Sequence, residues 1–240
     1  MFFQGPTWRR VSQQIIKILN TLPDARNCRI IVALSGGMDS VFMLAALGQI
    51  KKKYQLDLLP VYIDHKIQKE AQMFGKIAKS AAKKMALECE ILTVGERLPK
   101  RNLEDWMREE RYRLLEAYRQ KQKAHYIAVA HHASDQAETV LAHLIRGAGI
   151  GGLKGMLPVR DKIIRPLLNV PKKDIEALMH SSKLPYYEDK LNYSPDYQRN
   201  KIRHQLIPYM EKEFNPKIVE RLARLAEIVR KSQIPKSNIQ

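Results

Sequence analysis

Four short apolar runs alternate with longer amphipathic stretches in the first part of the chain. The runs are strand-sized and read RIIVAL at 29–34, DLLPVYI at 57–63, ECEILTV at 88–94 and HYIAVA at 125–130. Stretches of roughly 15 to 20 residues with helical periodicity separate them, which is the rhythm of βαβ units. The pattern therefore predicts an α/β fold, a doubly wound parallel sheet with helices on both faces.

The pattern changes beyond residue 146. The glycine-rich segment RGAGIGGLKGM at 146–156 is interpreted as a mobile functional loop or a long connector. Helical periodicity then returns at 171–182, 199–213 and 216–232. We therefore expect a catalytic domain over residues 1–212, followed by a small helical C-terminal part over 213–240 that contains one amphipathic helix and a tail.

The charge balance adds a partner to this picture. Charged residues make up 28% and hydrophobic residues 45% of the chain, as in ordinary globular proteins, but the net charge is +17. Such a surplus favours approach to a polyanion, so nucleic acid is the first partner it indicates, with a merely basic surface as the alternative. The apolar runs are far shorter than the roughly 18 residues of a membrane span, so no membrane partner is expected.

The cysteines point to the compartment. Cys28 and Cys89 are the only two, and they form no C-x-x-C pair. This argues against a disulfide framework, a zinc ribbon or an iron–sulfur cluster. It suits the reducing cytoplasm, which is the localisation we expect.

The first apolar run leads into SGGMDS at 35–40, where the chain must turn from a strand into a helix. In open parallel sheets, ligands lie beyond the carboxyl ends of the strands. Glycines allow close approach and a positive φ, and backbone N–H groups at a helix N-terminus bind phosphate. The loop is therefore predicted to bind a phosphate through Ser35, Gly36, Gly37 and Ser40.

Asp39 takes the place in which a lysine would be expected. The lysine-bearing loop G-x-x-x-x-G-K-[ST] is absent, so the usual clamp on the β- and γ-phosphates is not indicated. An acid beside phosphates requires a cation between them, which indicates Mg²⁺. The alternative is a tight strand–helix turn in which Asp39 interacts with the helix dipole. In either case Asp39 is expected to face solvent.

The motifs of the chain resemble those of the ATP pyrophosphatases, which cleave ATP between the α- and β-phosphates and transfer AMP to an oxygen of the substrate. Within that group the chain resembles the tRNA(Ile)-lysidine synthase family over most of its length. The resemblance rests on six motifs in order: ALSGGMDS at 33–40, NLEDWMREERYR at 102–113, AHHASDQAETVLAHLIRG at 130–147, GGLKGM at 151–156, RPLL at 165–168 and RNKIRHQLIP at 199–208.

The resemblance implies an adenine nucleotide alpha hydrolase-like fold and a two-step reaction that uses ATP and Mg²⁺. ATP adenylylates the C2 oxygen of the wobble cytidine in a tRNA(Ile) with a CAU anticodon, and the ε-amine of free L-lysine then displaces AMP. The loop need hold only the pyrophosphate end of ATP, because the electrophile is the α-phosphorus. The residues implied to bind ATP are Ser35, Gly36, Gly37, Asp39 and Ser40, with Asp39 as the Mg²⁺ ligand.

The segment HHASDQAE carries three residues of ligand type, His131, Asp135 and Glu138. Their spacing of i, i+4 and i+7 puts them on one helical face. Zinc and a solvated helix start are alternatives, although no cysteine or distant histidine completes a zinc site. With the resemblance, Asp135 and Glu138 are expected to be catalytic, holding and activating the lysine ammonium or supplying a second metal contact.

Two basic segments are expected to contact tRNA or phosphate. Arg108 and Arg111 lie in REERYR, by default a solvated helix face, and the resemblance singles out Arg111 as catalytic. Arg199, Asn200 and Arg203 lie about one turn apart and could grip a nucleotide backbone, with a basic surface helix as the alternative. The tyrosines at 186, 187, 193 and 197 are interpreted as packing residues rather than as stacking platforms.

The chain departs from the family pattern in three ways. DHKIQ at 64–68 replaces a D/N-H-G-L-R element, and Ser134 stands where an acid is common. The family also usually carries a C-terminal region that grips the tRNA acceptor stem, which we expect to be missing or reduced here. Other functions compatible with the motifs are tRNA 2-thiolation on the same fold, which usually needs paired cysteines, and a non-catalytic nucleotide- and RNA-binding module.

Overall fold

The computed structural model describes residues 2–66, 71–95, 103–187 and 198–232. Its strands are β1 (Arg29–Leu34), β2 (Asp57–Asp64), β3 (Glu90–Thr93), β4 (Tyr126–Ala128), β5 (Val159–Arg160) and β6 (Ile163–Ile164). Its helices are α1 (Gly5–Leu19), α2 (Met38–Tyr54), α3 (Ala71–Lys83), α4 (Leu103–Lys121), α5 (Ala133–Ile145), α6 (Ile150–Leu153), α7 (Lys172–Ser182), α8 (Gln198–Lys201), α9 (Ile207–Glu213) and α10 (Ile218–Ser232). The four predicted strands are confirmed to within a few residues, whereas β5 and β6 had not been predicted.

The strands form one sheet in the order β3-β2-β1-β4-β6-β5. All neighbouring pairs are parallel except β5 and β6, which are antiparallel. The predicted parallel sheet is therefore confirmed, with one antiparallel edge strand. The chain adds β2 and β3 on one side of β1 and then places β4 on the other side, so a crevice opens at the carboxyl ends of β1 and β4.

Helices cover both faces of the sheet, as predicted. The side chains of β1 alternate between the two faces, because successive residues of a strand point in opposite directions. Ile30 and Val32 pack in a large core with residues of α1, α2 and α7, while Ile31 packs on the other face against Leu115 of α4. No helix in the described ranges combines the length and apolar composition needed to cross a bilayer.

The C-terminal helices pack beside α5 and form a third apolar cluster. Leu222 and Ala226 of α10 contact the cluster that contains Val140 and Leu141 of α5. The helix predicted at 199–213 consists of α8, a π-helical segment (Ile202–Leu206) and α9. The helix predicted at 216–232 is α10, and the domain boundary at residue 212 stays a prediction.

The glycine-rich segment that follows α5 is anchored to the rest of the fold. Gln136 is fully buried, and its side-chain amide exchanges hydrogen bonds with the backbone of Lys154 and Met156 at 2.8–3.2 Å. Gly155 has a φ of +56°, and a Cβ there would lie 2.7 Å from that amide. The end of this segment is therefore a fixed connector that leads into β5.

Candidate active site

Segment 35–40 turns the chain from the end of β1 into the start of α2. The Ser40 hydroxyl donates to the Gly37 carbonyl at 2.9 Å and accepts from the Ser35 N–H at 3.1 Å, which closes the turn. Gly37 is the N-cap of α2, and no side chain caps that helix. The turn therefore presents first-turn N–H groups of a 17-residue helix at the carboxyl edge of the sheet, a geometry that binds phosphate.

The two glycines of the turn serve different purposes. Gly36 has a φ of +81°, and a Cβ on it would lie 2.9 Å from the backbone oxygen of Phe74 in α3. Gly37 has a φ of −75°, and a Cβ there would meet Ser35 Oγ at 3.3 Å. Gly36 is therefore required by the backbone and by the packing of α3, while Gly37 lies on the partly exposed side of the turn.

Asp39 is half-buried, so it faces solvent in part and not fully as expected. Its Oδ1 accepts a hydrogen bond from Lys172 Nζ at 2.6 Å, and its Oδ2 lies 3.7 Å from Nε2 of His132. Burial by itself would raise the pKa of Asp39, but His132 and Lys172 lower it to about 2. Asp39 is therefore ionised at neutral pH, as a ligand of a hard cation must be.

Lys172 comes to this turn from the first residue of α7. The Val170 carbonyl accepts the Ala133 N–H at 3.0 Å, which sets the start of α7 beside the start of α5. The Tyr187 N–H donates to the Gly36 carbonyl at 2.9 Å and ties the chain after α7 to the turn. The sequence analysis did not identify Lys172 as a site residue. The one feature of the sequence that could have indicated it is a basic residue shortly after the RPLL motif.

The start of α5 is fixed by a capping box. The His132 N–H donates to Asp135 Oδ2 at 2.9 Å, and His132 Nδ1 accepts from the Ser134 N–H at 3.2 Å. The other ring nitrogen, Nε2, lies 3.6 Å from Asp135 and faces Asp39. Burial would lower the pKa of His132, but the two carboxylates outweigh it and raise that pKa. His132 thus connects two of the predicted acids.

The carboxylates of Asp135 and Glu138 are buried and paired with arginines. Arg203 donates from Nε to Glu138 Oε1 at 2.6 Å, and from Nη2 to Glu138 Oε2 and Asp135 Oδ1 at 3.0 Å each. Arg199 Nε donates to Glu138 Oε2 at 3.1 Å, although 46% of the Arg199 side chain is exposed. The structure thus brings together the acids predicted for lysine and two of the arginines predicted for the nucleotide backbone.

Burial alone would raise the pKa of Asp135, but His132, His131 and Arg203 reverse this effect and lower that pKa. Asp135 is consequently a carboxylate at neutral pH. It can hold an ammonium group without first losing a proton.

His131 precedes the N-cap of α5, so the prediction that it shares a helical face with Asp135 and Glu138 was wrong. Burial lowers the pKa of His131 to about 4. The nearby Asp135 carboxylate would raise this pKa, but the positive charges of Arg165, Arg108 and Arg199 lower it further. His131 is therefore neutral at pH 7. Its Nδ1 is buried and has no hydrogen-bond partner among the described residues.

Of the two predicted arginines of α4, Arg111 lies near the end of β2 and Arg108 lies near His131 and Arg165. Arg108 and Arg111 are both exposed, and the guanidinium of Arg108 lies 5.2 Å from the ring centre of Tyr112. The pKa of His65, just after β2, is lowered by burial and by Arg111. Arg111 therefore lies near the sheet edge that carries segment 35–40. Asn200 is half-buried on α8.

The described tyrosines pack as predicted. Tyr186 and Tyr187 lie partly buried against the main core, and the Tyr187 ring is centred 4.6 Å from that of Phe74. Tyr193, Tyr197 and the last two residues of DHKIQ lie outside the described residues.

The parallel sheet with a glycine turn after its first strand defines the class of adenine nucleotide alpha hydrolase-like proteins. A family model described as the PP-loop domain matches residues 9–210. The chain therefore belongs to the PP-loop family. This family had been expected from the SGGMDS motif and its resemblance to the ATP pyrophosphatases.

Curated relatives share one description. The chain is 39% identical over 210 residues to a tRNA(Ile)-lysidine synthase of Clostridium acetobutylicum, covering 85% of this chain and 46% of that protein. It is 34% identical to one of Thermosynechococcus vestitus, covering 84% and 59%, and 37% identical to one of Thermosipho africanus, covering 85% and 48%. The chain spans about half the length of these curated relatives.

Solved structures show the same fold. The U34-tRNA thiolase NcsA from Methanococcus maripaludis, with its [4Fe-4S] cluster, matches with a TM-score of 0.77 at 20% identity, covering 97% of this chain and 82% of that one. NMN synthetase from Francisella tularensis matches with a TM-score of 0.54 at 13% identity, covering 97% and 100%. At these identities the likeness establishes the fold alone.

Proposed function

We propose that this chain carries a tRNA(Ile)-lysidine synthase activity. ATP transfers AMP to the C2 oxygen of the wobble cytidine in a tRNA(Ile) with a CAU anticodon, and pyrophosphate leaves. The ε-ammonium of free L-lysine then gives up a proton to a carboxylate of the site, its nitrogen bonds to C2, and AMP leaves with the oxygen. The observation that carries the proposal is that His132 lies beside both Asp39 at the turn and the buried carboxylate of Asp135, which shares Arg203 with the buried carboxylate of Glu138.

The residues of the turn fit ATP with Mg²⁺. Ser35 is exposed and Gly37 partly exposed. The Gly37 N–H donates to Ser35 Oγ at 3.3 Å and the Ser35 hydroxyl donates to Ser40 Oγ at 3.2 Å, so both donors would turn from these contacts to the phosphate oxygens. Asp39 offers one ionised carboxylate, and Mg²⁺ is commonly bound by one or two carboxylates together with substrate phosphates and water. The Mg²⁺ would neutralise charge on the phosphates, and segment 35–40 would hold the pyrophosphate end.

Asp135 and Glu138 suit the lysine side chain. A buried carboxylate needs a cationic partner, and lysine brings an ammonium group with an ordinary pKa of about 10.4. Arg199 and Arg203 now fill this role. Arg199 is half-exposed, so we propose that the lysine ammonium replaces its contact with Glu138, while Arg203 keeps both acids in position.

The exposed arginines support tRNA binding. Released from Glu138, Arg199 would contact an RNA phosphate, together with Arg108, Arg111 and Asn200. Arg111 lies near the carboxyl edge of the sheet, so it would meet RNA next to the bound nucleotide. The net charge of +17 agrees with an RNA partner.

The test is to incubate the chain with ATP, Mg²⁺, labelled lysine and a tRNA(Ile) transcript that has a CAU anticodon. We expect label in the tRNA and one AMP released per lysine incorporated. A transcript with uridine at the wobble position is the matched control and should take no lysine. Labelling of both transcripts, or of neither, would contradict the proposal.

A tRNA 2-thiolation enzyme is the second candidate, because the thiolase NcsA has the same fold. The placement of the cysteines disagrees with it. Cys28 directly precedes β1 and Cys89 directly precedes β3, so both lie at the amino ends of parallel strands, opposite the candidate site. Sulfur incorporation in place of lysine in the same assay would support this candidate.

A further inference from the structure

Lys172 lies beside the turn from which the usual phosphate-binding lysine is missing. Its ammonium is 2.6 Å from Asp39 Oδ1, and the two side chains are 32% and 31% exposed. Both residues belong to the first turns of their helices, α7 and α2. The ammonium group therefore lies at the mouth of the turn, where solvent and ligands can reach it.

The position of Lys172 is fixed by the backbone around it. The start of α7 is tied to α5 through Val170 and Ala133, and the segment after α7 is tied to Gly36 through Tyr187. The buried residues Val170 and Ile175 hold the first part of α7 in the main core. The Lys172 Cα is thus anchored, while its four-carbon side chain can swing over the turn.

We propose that Lys172 is a polyphosphate-binding residue, supplied by α7 instead of by the loop motif. Without a nucleotide its ammonium neutralises Asp39. With Mg²⁺·ATP present, Asp39 would serve as the Mg²⁺ ligand and the Lys172 ammonium would turn to an oxygen of the β- or γ-phosphate. Lysine suits this exchange because it acts as a compact point charge on a flexible stem.

The exchange keeps the charges balanced. An isolated Asp39 carboxylate beside a polyphosphate would repel it, and an ammonium already paired with that carboxylate prevents this before the metal arrives. With Asp39 engaged as a Mg²⁺ ligand, Lys172 would have no other carboxylate among its described ion pairs. It is then free for the phosphate. The inference rests on the proposed use of ATP, but not on lysine or tRNA as substrates.

The test compares Lys172→Met with Lys173→Met, the same change one residue along the helix. Lys173 pairs with Glu220 at the surface and has 66% of its side chain exposed. Binding of Mg²⁺·ATP and of AMP is measured by calorimetry. Lys172→Met should weaken Mg²⁺·ATP binding about 10- to 100-fold, the effect of one charge-assisted hydrogen bond, and leave AMP binding unchanged. Lys173→Met should change neither, and Lys172→Arg should retain part of the affinity.

Equal weakening of ATP and AMP binding, or normal Mg²⁺·ATP binding by Lys172→Met, overturns the inference. Absence of Mg²⁺·ATP binding by the parent also overturns it. Lysine incorporation by the parent is measured in parallel. If the parent incorporates no lysine while its Mg²⁺·ATP affinity depends on Lys172, the proposed function fails and this inference stands. If lysine is incorporated and Lys172→Met binds Mg²⁺·ATP normally, only this inference fails.

Discussion

Gly36→Ala should destabilise the fold, whereas Gly37→Ala should not. A non-glycine residue at the φ of +81° seen at Gly36 costs about 1–2 kcal/mol. The added Cβ would lie 2.9 Å from the Phe74 backbone oxygen, so α3 must shift, and forced overpacking costs about 1–3 kcal/mol. Together these terms predict a loss of about 2–5 kcal/mol in the free energy of unfolding.

Gly37 is the matched control within the same turn. Its φ of −75° suits any residue, and the new Cβ would contact only the hydroxyl of an exposed serine, Ser35, below 3.4 Å. The expected loss of stability is therefore within about 0.5 kcal/mol. The methyl group would still narrow the space over the helix N-terminus, so Mg²⁺·ATP affinity should fall in Gly37→Ala.

Thermal unfolding followed by circular dichroism measures the first effect and calorimetry the second. For a protein of this size, 1 kcal/mol corresponds to about 2–4 °C in Tm, so Gly36→Ala should melt at least about 4 °C below the parent. A Gly36→Ala variant that melts within about 2 °C of the parent would refute the close approach of Phe74 to the turn. A Gly37→Ala variant with the parent's affinity would refute phosphate binding at this helix start.

Three further predictions concern the site. Glu138→Gln keeps the size of the side chain but loses its charge, so about 1.5–3 kcal/mol of stability should be lost with the contacts to Arg199 and Arg203. Aminolysis by lysine should fall much more than ATP use. A variant that matches the parent in melting temperature and in lysine use would contradict this prediction. The Asp39 pKa is about 2, below its usual 3.8, so the stabilising effect of the Asp39 carboxylate is complete above about pH 4 and is lost as the pH falls toward 2. Between pH 2 and 5, the free energy of unfolding in urea should depend less on pH in Asp39→Asn than in the parent. An equal pH dependence in the two proteins would argue against the ion pairs of Asp39. Binding of tRNA should weaken steeply with salt because counterions are released from RNA phosphates, and an affinity that hardly changes between low and physiological salt would argue against an RNA footprint.

The strands that the sequence could predict are those with a long apolar signal. β1 and β2 contain six and eight residues, most of them apolar. Apolar runs of this length can be recognised in the sequence as buried strands. β5 and β6 have two residues each, too few for any periodicity. β6 is a strand because Ile163 and Ile164 pair with β4, and β5 is one because it pairs with β6. Local sequence does not encode the contact with β4.

The candidate site likewise has a part that the sequence could predict and a part that it could not. The turn at 35–40 could be predicted because its glycines, its acid and the following helix are consecutive in sequence. The position of the Lys172 ammonium group could not be predicted, because its partner Asp39 is 133 positions away in sequence. The pairing of Arg203 with Glu138 spans 65 positions, so the arginine was predicted to contact an external ligand instead of an internal carboxylate.

The distance in sequence between Asp39 and Lys172 has a consequence for synthesis. At about 5–20 residues per second, a ribosome needs roughly 7 to 27 s to make the 133 residues that separate them. During that interval β1 and the glycine turn exist without the ammonium group of α7 and without the arginines that meet Asp135 and Glu138. The nascent chain therefore contains Asp39, Asp135 and Glu138 before it receives Lys172, Arg199 and Arg203, and ATP cannot stabilise the growing chain through Lys172 until α7 has been made.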